Sequence, residues 1–272
     1  MRLRGLLVVT CLLAWGGDRA PAAKGWSTPA AGPSLSGDPE IVFTFDDGPS
    51  AATTPKVLDI LAKHDIKAIF FLVGEMAGGD KKKIPPIIAR ILADGHVIAN
   101  HTMQHKDLCR TKTSDEAAAK DIDDGKATIE KVAGINTFWF RTPFGVRCDR
   151  LDAMLAARGI SHFHWDLDPQ EWKHENAKKA FDYVTGSLAK STGRNVLLMH
   201  DIKKATVEAL PQILDWIEAE NTRRAAAHKR QIRIIQAPEL AAERIPPELR
   251  AWAEDAVPRR GGLGARIASI LP

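Results

Sequence analysis

Ile41-Val42-Phe43-Thr44-Phe45-Asp46-Asp47-Gly48-Pro49 is the stretch on which the fold turns. Residues 41–45 form a short β-branched and aromatic run, the pattern of a buried strand. Two adjacent acids follow at once, then Gly and Pro. An Asx turn explains Gly48 and Pro49, but it does not need two acids, so the pair asks for chemistry. Thr54 then offers an N-cap with Pro55 at the first helical position, and Val57, Leu58 and Leu61 share one face. Strand, polar turn and helix make up the first unit.

The unit recurs outward from there. Residues 68–73, 97–100, 138–141, 161–166, 195–199 and 231–236 read as further strands. Helices are expected over 84–94, from a Thr113–Glu116 capping box to about residue 132, over 149–158, 177–189 and 205–220. Gly95 and Gly159 stop two of them. Alternation of this kind means a parallel sheet with helices outside it. Seven units in roughly 200 residues fit an α/β fold, a distorted TIM-like (β/α)7 barrel; a doubly wound open sheet is the alternative.

The rest of the 272 residues sets the context. The chain is 44% hydrophobic and 26% charged, long enough for a sizeable core and too apolar for wholesale disorder. A net charge of +4 is mild for this length and does not point to nucleic acid. Arg2 and Arg4 precede an apolar run over 5–15, and Ala20 and Ala22 are spaced for A-x-A cleavage, so residues 1–22 read as an export signal. The run is short for a bilayer span, which makes an uncleaved anchor the weaker alternative. Cys11, inside that run, is poorly placed for lipidation. Residues 23–38 read as a flexible linker, 39–237 as the barrel domain, and 238–272 as a helical tail. In that tail Pro246 and Pro247 would open a helix with Leu249 and Trp252 on its apolar face. The expectation is a monomer, periplasmic or extracellular, with no stable membrane anchor after cleavage and no nucleic-acid partner.

The unusual polar residues fall at the C-terminal ends of the proposed strands: Asp46 and Asp47, His101 and His105, Arg141, Asp168 and Glu171, His200 and Asp201. In a β/α barrel those ends share one face, where active sites sit. His101 and His105 stand at i and i+4, a spacing that lets two rings meet one metal. Asp47 supplies a possible third ligand, and three ligands with a fourth position left for water make a catalytic rather than a structural zinc arrangement. Cys109 and Cys148 border the same region. With Cys11 lost to the signal, they form a plausible pair in an oxidising compartment, closing a loop of about 40 residues for about 3–4 kcal/mol in the chain-entropy model. Trp139 and Trp165 read as core. Trp172 reads equally as core or as the wall of a groove on which a sugar ring stacks. His162 and His164 read as structural; His64, His96, His174 and His228 read as surface residues.

At these residues the sequence resembles the polysaccharide deacetylases, the NodB-homology domain of carbohydrate esterase family 4. Thr44-Phe45-Asp46-Asp47-Gly48-Pro49 matches the first motif. His101-Thr102-Met103-Gln104-His105 matches the H-[ST]-x-x-H motif, and Arg141-Thr142-Pro143-Phe144-Gly145 the R-x-P-x-G motif. Asp168-Pro169-Gln170-Glu171-Trp172 is similar to D-x-x-D-W, with Glu171 where the family usually has Asp. Leu197-Leu198-Met199-His200-Asp201 matches the fifth, and Lys106 stands where Pro usually follows the second. Five ordered motifs are far more specific than any one of them.

The resemblance implies roles. Asp47, His101 and His105 would hold a divalent metal, zinc first, with cobalt, nickel or manganese also accepted by such ligands. Asp46 would be the general base, oriented and kept ionised by Arg141. The Phe144 N–H would join an oxyanion hole, and its ring would line the acetyl pocket, with Trp172 as a second substrate-binding wall. His200 would be the general acid, its ring oriented by Asp168 or Glu171. The implied activity is hydrolysis of N-acetyl groups on an amino-sugar glycan such as peptidoglycan, a chitin-like oligomer or an exopolysaccharide. Alternatives are an O-acetyl esterase acting on a glycan such as xylan, cleavage of a small cyclic amide, or a catalytically silent glycan-binding protein.

Overall fold

The computed structural model describes residues 34 and 37–243, so the expected signal, most of the linker and the tail helix at Pro246 and Pro247 lie outside the described residues. The first half runs β1 Glu40–Asp46, α1 Thr54–Lys63, β2 Ile69–Leu72, α2 Gly74–Ala77, α3 Ile84–Ala93, β3 Val97–Asn100, α4 Asp115–Ala133 and β4 Trp139–Phe140. A 3₁₀ turn at Pro143–Gly145 follows, then α5 Asp149–Ala157, β5 Ser161–His162, α6 Glu171–His174, α7 Ala177–Leu188, β6 Arg194–His200, α8 Lys204–Ala226, β7 Arg233–Ile234 and α9 Ala237–Glu243. Among the described residues no helix is long and apolar enough to cross a membrane.

All strand pairs are parallel, in the order β5-β4-β3-β2-β1-β6. β1 is the central stave, with Asp46 opposite His200 of β6 and Phe71 of β2. The expected fifth strand, 161–166, is divided. Only Ser161–His162 pairs with β4, and Leu167 then crosses to bridge Leu197 on β6. The Asp166 carboxylate accepts Val196 N–H at 2.8 Å, a ladder position that a backbone carbonyl would otherwise fill. With the Leu167–Leu197 bridge, this contact ties the end of the segment to β6. β7 is shorter than expected as well. It pairs with Glu40 and Ile41, on the edge of β1 whose later residues pair with β2. The result is a distorted (β/α)7 barrel.

Side-chain alternation along β1 divides its work. Ile41, Phe43 and Phe45 face the helices with Leu58, Ile88, Leu210 and Ile213. Val42 faces the barrel interior with Phe71, Trp139, Phe163 and Val196. Thr44 and Asp46 therefore continue the interior face toward the rim. At the opposite end α9 lays Leu240 and Ala241 on the interior cluster, and Arg194 ties Glu40 to Glu243 at 2.7 and 2.8 Å.

Two helix starts differ from the sequence reading by one residue. Ser114, not Thr113, caps α4, accepting from Ala117 N–H at 3.2 Å. Thr53 holds the N-cap position of α1, and the Thr54 hydroxyl is used elsewhere. Cys109 and Cys148 are joined in a disulfide, with Cα atoms 5.9 Å apart. Trp139 is core, and Trp165 is half-buried against the same cluster.

His96 is not on the surface. It is buried behind β2, and its Nδ1 accepts Ala68 N–H at 2.9 Å. Burial brings His96 down to about 4 and His162 down to about 3. Their unfolded values lie near 6.5, so the folded state binds fewer protons. Their contribution is therefore complete above about pH 6.5 and is lost as pH falls toward the folded values. Each should cost about 2 kcal/mol at pH 5 relative to pH 8. Urea unfolding at both pH values checks this, and His162→Phe should reduce the acid loss by about 2 kcal/mol.

Candidate active site

At the rim where the strands end, the backbone leaves ordinary conformations. Asp47, Thr102, His105, Phe144 and Gln170 have φ of 72°, 68°, 52°, 60° and 53°, all left-handed. Such geometry is costly for residues with a Cβ and tends to cluster at functional sites. The Gly48–Pro49 bond is cis.

Arg141 is the hub. Its guanidinium is 0% exposed and lies 4.0 Å over the Phe71 ring. Nη1 donates to Asp46 Oδ1 at 2.6 Å and to Thr44 Oγ1 at 2.8 Å. Nε and Nη2 donate to the carbonyls of Phe163 and His164 at 3.0 and 3.2 Å. A planar cation held on every side fixes the carboxylate it touches, so Asp46 has one orientation. The Arg141 carbonyl accepts His101 Nδ1–H at 2.8 Å. That proton assignment leaves His101 Nε2 as a lone-pair donor turned toward the acids.

Asp47 Oδ1 lies 3.2 Å from His105 Nε2 and 3.5 Å from His101 Nε2. One donor atom from each of the three residues falls within 4.8 Å of the others. Burial acts to raise Asp47, but His101, His200 and His105 together outweigh it and hold the carboxylate well below its usual range. Burial keeps His105 below its ordinary value. Asp47 Oδ1 is also buried without a hydrogen-bond donor of good geometry. Two imidazole nitrogens converging on an ionised, under-satisfied oxygen fit a divalent cation.

The ligand-bearing loop is held by α4. Met103 N–H donates to the Asp121 carbonyl at 2.8 Å, and Gln104 N–H to Asp121 Oδ1 at 3.0 Å. Gly125 has no Cβ because one would overlap the Thr102 backbone. Asn100 accepts Thr102 N–H at 2.9 Å and donates to the Ile122 carbonyl at 3.0 Å. Sequence reading missed Asp121, Gly125, Asn100 and Thr44. An acid and a glycine on the buried face of an amphipathic helix were the available signal.

On the adjacent strand β6 stands a second pair. His200 Nδ1 lies 2.9 Å from Glu171 Oε1, which also accepts His200 N–H at 2.8 Å and the Thr206 hydroxyl at 3.3 Å. Glu171 is wholly buried. Burial works to lower His200, but the hydrogen bond and charge of Glu171, with Asp46 and Asp47, raise it to about 9. Of the two carboxylates expected as the partner, the geometry selects Glu171. Asp168 instead accepts Gln170 N–H at 2.8 Å, closing the turn that sets Gln170 left-handed and starts α6 at Glu171.

Phe144 and Trp172 are 64% and 42% exposed. Phe144 meets His105 edge to face at 4.7 Å, and Trp172 meets His200 at 6.3 Å. Two open aromatic faces therefore flank the polar cluster.

Fold and site together define a parallel β/α-barrel protein with an acid–base constellation at the strand ends, the side of the barrel where catalysis is built. Residues 35–163 match the family model described as "Polysaccharide deacetylase". The chain is 33% identical over 168 residues to a chitooligosaccharide deacetylase of Sinorhizobium fredii, covering 62% of this chain and 74% of that protein. It is 31% identical over 188 residues to a peptidoglycan-N-acetylglucosamine deacetylase of Bacillus cereus, covering 68% of this chain and 65% of that protein. The structure of peptidoglycan deacetylase PdaC from Bacillus subtilis superposes with a TM-score of 0.63 at 27% identity, covering 81% of this chain and 98% of that one. The chain belongs to the polysaccharide deacetylase family, the NodB-homology domain of carbohydrate esterase family 4.

Proposed function

We propose that this protein is an exported, metal-dependent deacetylase that hydrolyses N-acetyl groups of an amino-sugar glycan to acetate and free amine. The observation that carries the reading is the union, within one rim, of the Asp47–His101–His105 cluster, the Arg141-bound Asp46 and the Glu171-bound His200. A binding module has no use for a base and an acid held side by side next to a ligand cluster.

Asp47, His101 and His105 would hold the cation, zinc being the first choice. When bound, it supplies Lewis acidity to the acetyl carbonyl and to the attacking water. Asp46, fixed by Arg141, takes the proton from that water. The Phe144 N–H steadies the oxyanion that develops on the carbonyl. His200, which the Glu171 carboxylate favours in its protonated form, gives its Nε2 proton to the leaving nitrogen, while Glu171 on Nδ1 holds the ring in place. An amine leaves poorly without that proton. Phe144 and Trp172 exclude water from the two sides and offer faces to a sugar ring. The Cys109–Cys148 disulfide supports an oxidising compartment, periplasmic or extracellular.

Acetate release from chitin oligomers, peptidoglycan and acetylated xylan by the zinc-loaded protein tests the substrate class. The reading expects release from one or more of the N-acetylated glycans and little from xylan. Release confined to xylan would move the activity to ester cleavage, and tight binding without turnover would favour a silent glycan binder.

A further inference from the structure

The turn carrying Asp46 and Asp47 is fastened by a carboxylate that no step above uses. Asp201, the residue after His200, is fully buried. Its Oδ2 accepts a hydrogen bond from Thr54 Oγ1 at the start of α1. The same Thr54 oxygen accepts Ser50 N–H at 2.7 Å, so one hydroxyl closes the loop between β1 and α1. The Asp201 carboxylate also lies against the Cα of Gly48, where a Cβ would overlap both of its oxygens. Gly48 is glycine because Asp201 occupies that space.

Packing alone does not account for an acid here. Asp201 Oδ1 has no hydrogen-bond partner among the described residues, and an orphaned buried oxygen costs stability that an apolar side chain would not. The neighbouring backbone supplies the reason. Asp47 is held left-handed at φ 72°, a conformation that persists only when its surroundings over-determine it. On one side Val73 N–H donates to the Gly48 carbonyl at 3.0 Å. On the other stands the Asp201–Thr54 latch.

We propose that Asp201 is a positioning residue which, through Thr54 and Gly48, fixes the Asp46-Asp47 turn so that Asp47 meets His101 and His105, and that divalent-cation affinity depends on this latch. The inference rests on the reading of those three residues as cation ligands.

Calorimetric titration with zinc chloride tests it on the purified protein, with near-UV circular dichroism and thermal melting of the metal-free form to establish folding. Wild type should bind one zinc. Asp201→Ala should weaken binding about tenfold or more while keeping the fold. Thr54→Val, which breaks the latch from the other side, should do the same. Asp201→Asn keeps the shape and a bond to Thr54, and should remain within about threefold of wild type. Wild-type affinity in a folded Asp201→Ala variant would overturn the inference. So would Asp201→Asn falling as far as Asp201→Ala, because charge rather than position would then be at work. If Asp201→Ala does not fold, Thr54→Val decides; failure of both to fold would make the latch a stability element and overturn the positioning role. No zinc uptake by wild type would overturn the ligand reading, and this inference with it. Uptake that ignores both latch residues would overturn this inference alone.

Discussion

Asp46→Asn should lower acetate release by about 10³-fold or more while leaving metal uptake in place. The loss follows from the chemistry assigned to the carboxylate, because an amide cannot take a proton from water. The ligand set is untouched, since Asp47, His101 and His105 are separate residues. The substitution also removes the carboxylate that, alone among the described residues, forms an ion pair with Arg141, which is 0% exposed. A buried cation stripped of its partner typically costs about 3–5 kcal/mol. The lower end applies here, because the Asn oxygen can still accept from Nη1 and three other acceptors remain. Activity should therefore be compared well below the melting temperature of the variant, with zinc content measured on the same sample. Full activity in a folded Asp46→Asn protein would remove Asp46 from the mechanism.

The second large effect concerns His200. His200→Ala should reduce amide cleavage by about 10²–10⁴-fold and cleavage of an activated acetyl ester by much less, because an ester leaving group depends less on a proton. Glu171→Gln separates position from charge. Glu171, with Asp46 and Asp47, holds His200 above its ordinary value, so a general acid at this position would be protonated below that raised value and lost as pH rises through it. Without the Glu171 charge the ring should fall toward its ordinary value, moving the alkaline limb of the pH–rate profile down by about one unit or more. The variant should be far more impaired at pH 8 than at pH 6. An unshifted alkaline limb would mean that the pair does not set that limb.

Much of the site could be read in the sequence because each motif stands at a strand end, and strand ends are announced locally by apolar runs meeting polar turns. The Asp46–His200 juxtaposition follows once both strands are parallel neighbours in register. What escaped was set by contacts between distant segments. Thr54 looked like a helix cap, as its neighbour Pro55 suggests, but its hydroxyl answers to a carboxylate 147 residues away. Asp168 and Glu171 could not be ranked from spacing alone, because the choice depends on Gln170 turning left-handed. The fifth strand seemed continuous because Phe163 and Trp165 suit a strand, yet it pairs with β4 only over Ser161–His162 and residues 166 and 167 bond to β6 instead. His96 seemed exposed after Gly95 because nothing nearby foretells that Ala68 N–H points at its ring.

The central claim is that the cluster Asp47, His101 and His105 holds a metal on which deacetylation depends. The most direct test measures acetate and free amine together, using N-acetylglucosamine oligomers and peptidoglycan, with the protein stripped by a chelator and then reloaded with zinc. The account predicts equal amounts of both products from the loaded protein, none above background after stripping, and recovery on adding zinc. Release that persists undiminished in the stripped protein, or no release from any N-acetylated glycan by protein shown to carry one zinc, would contradict it.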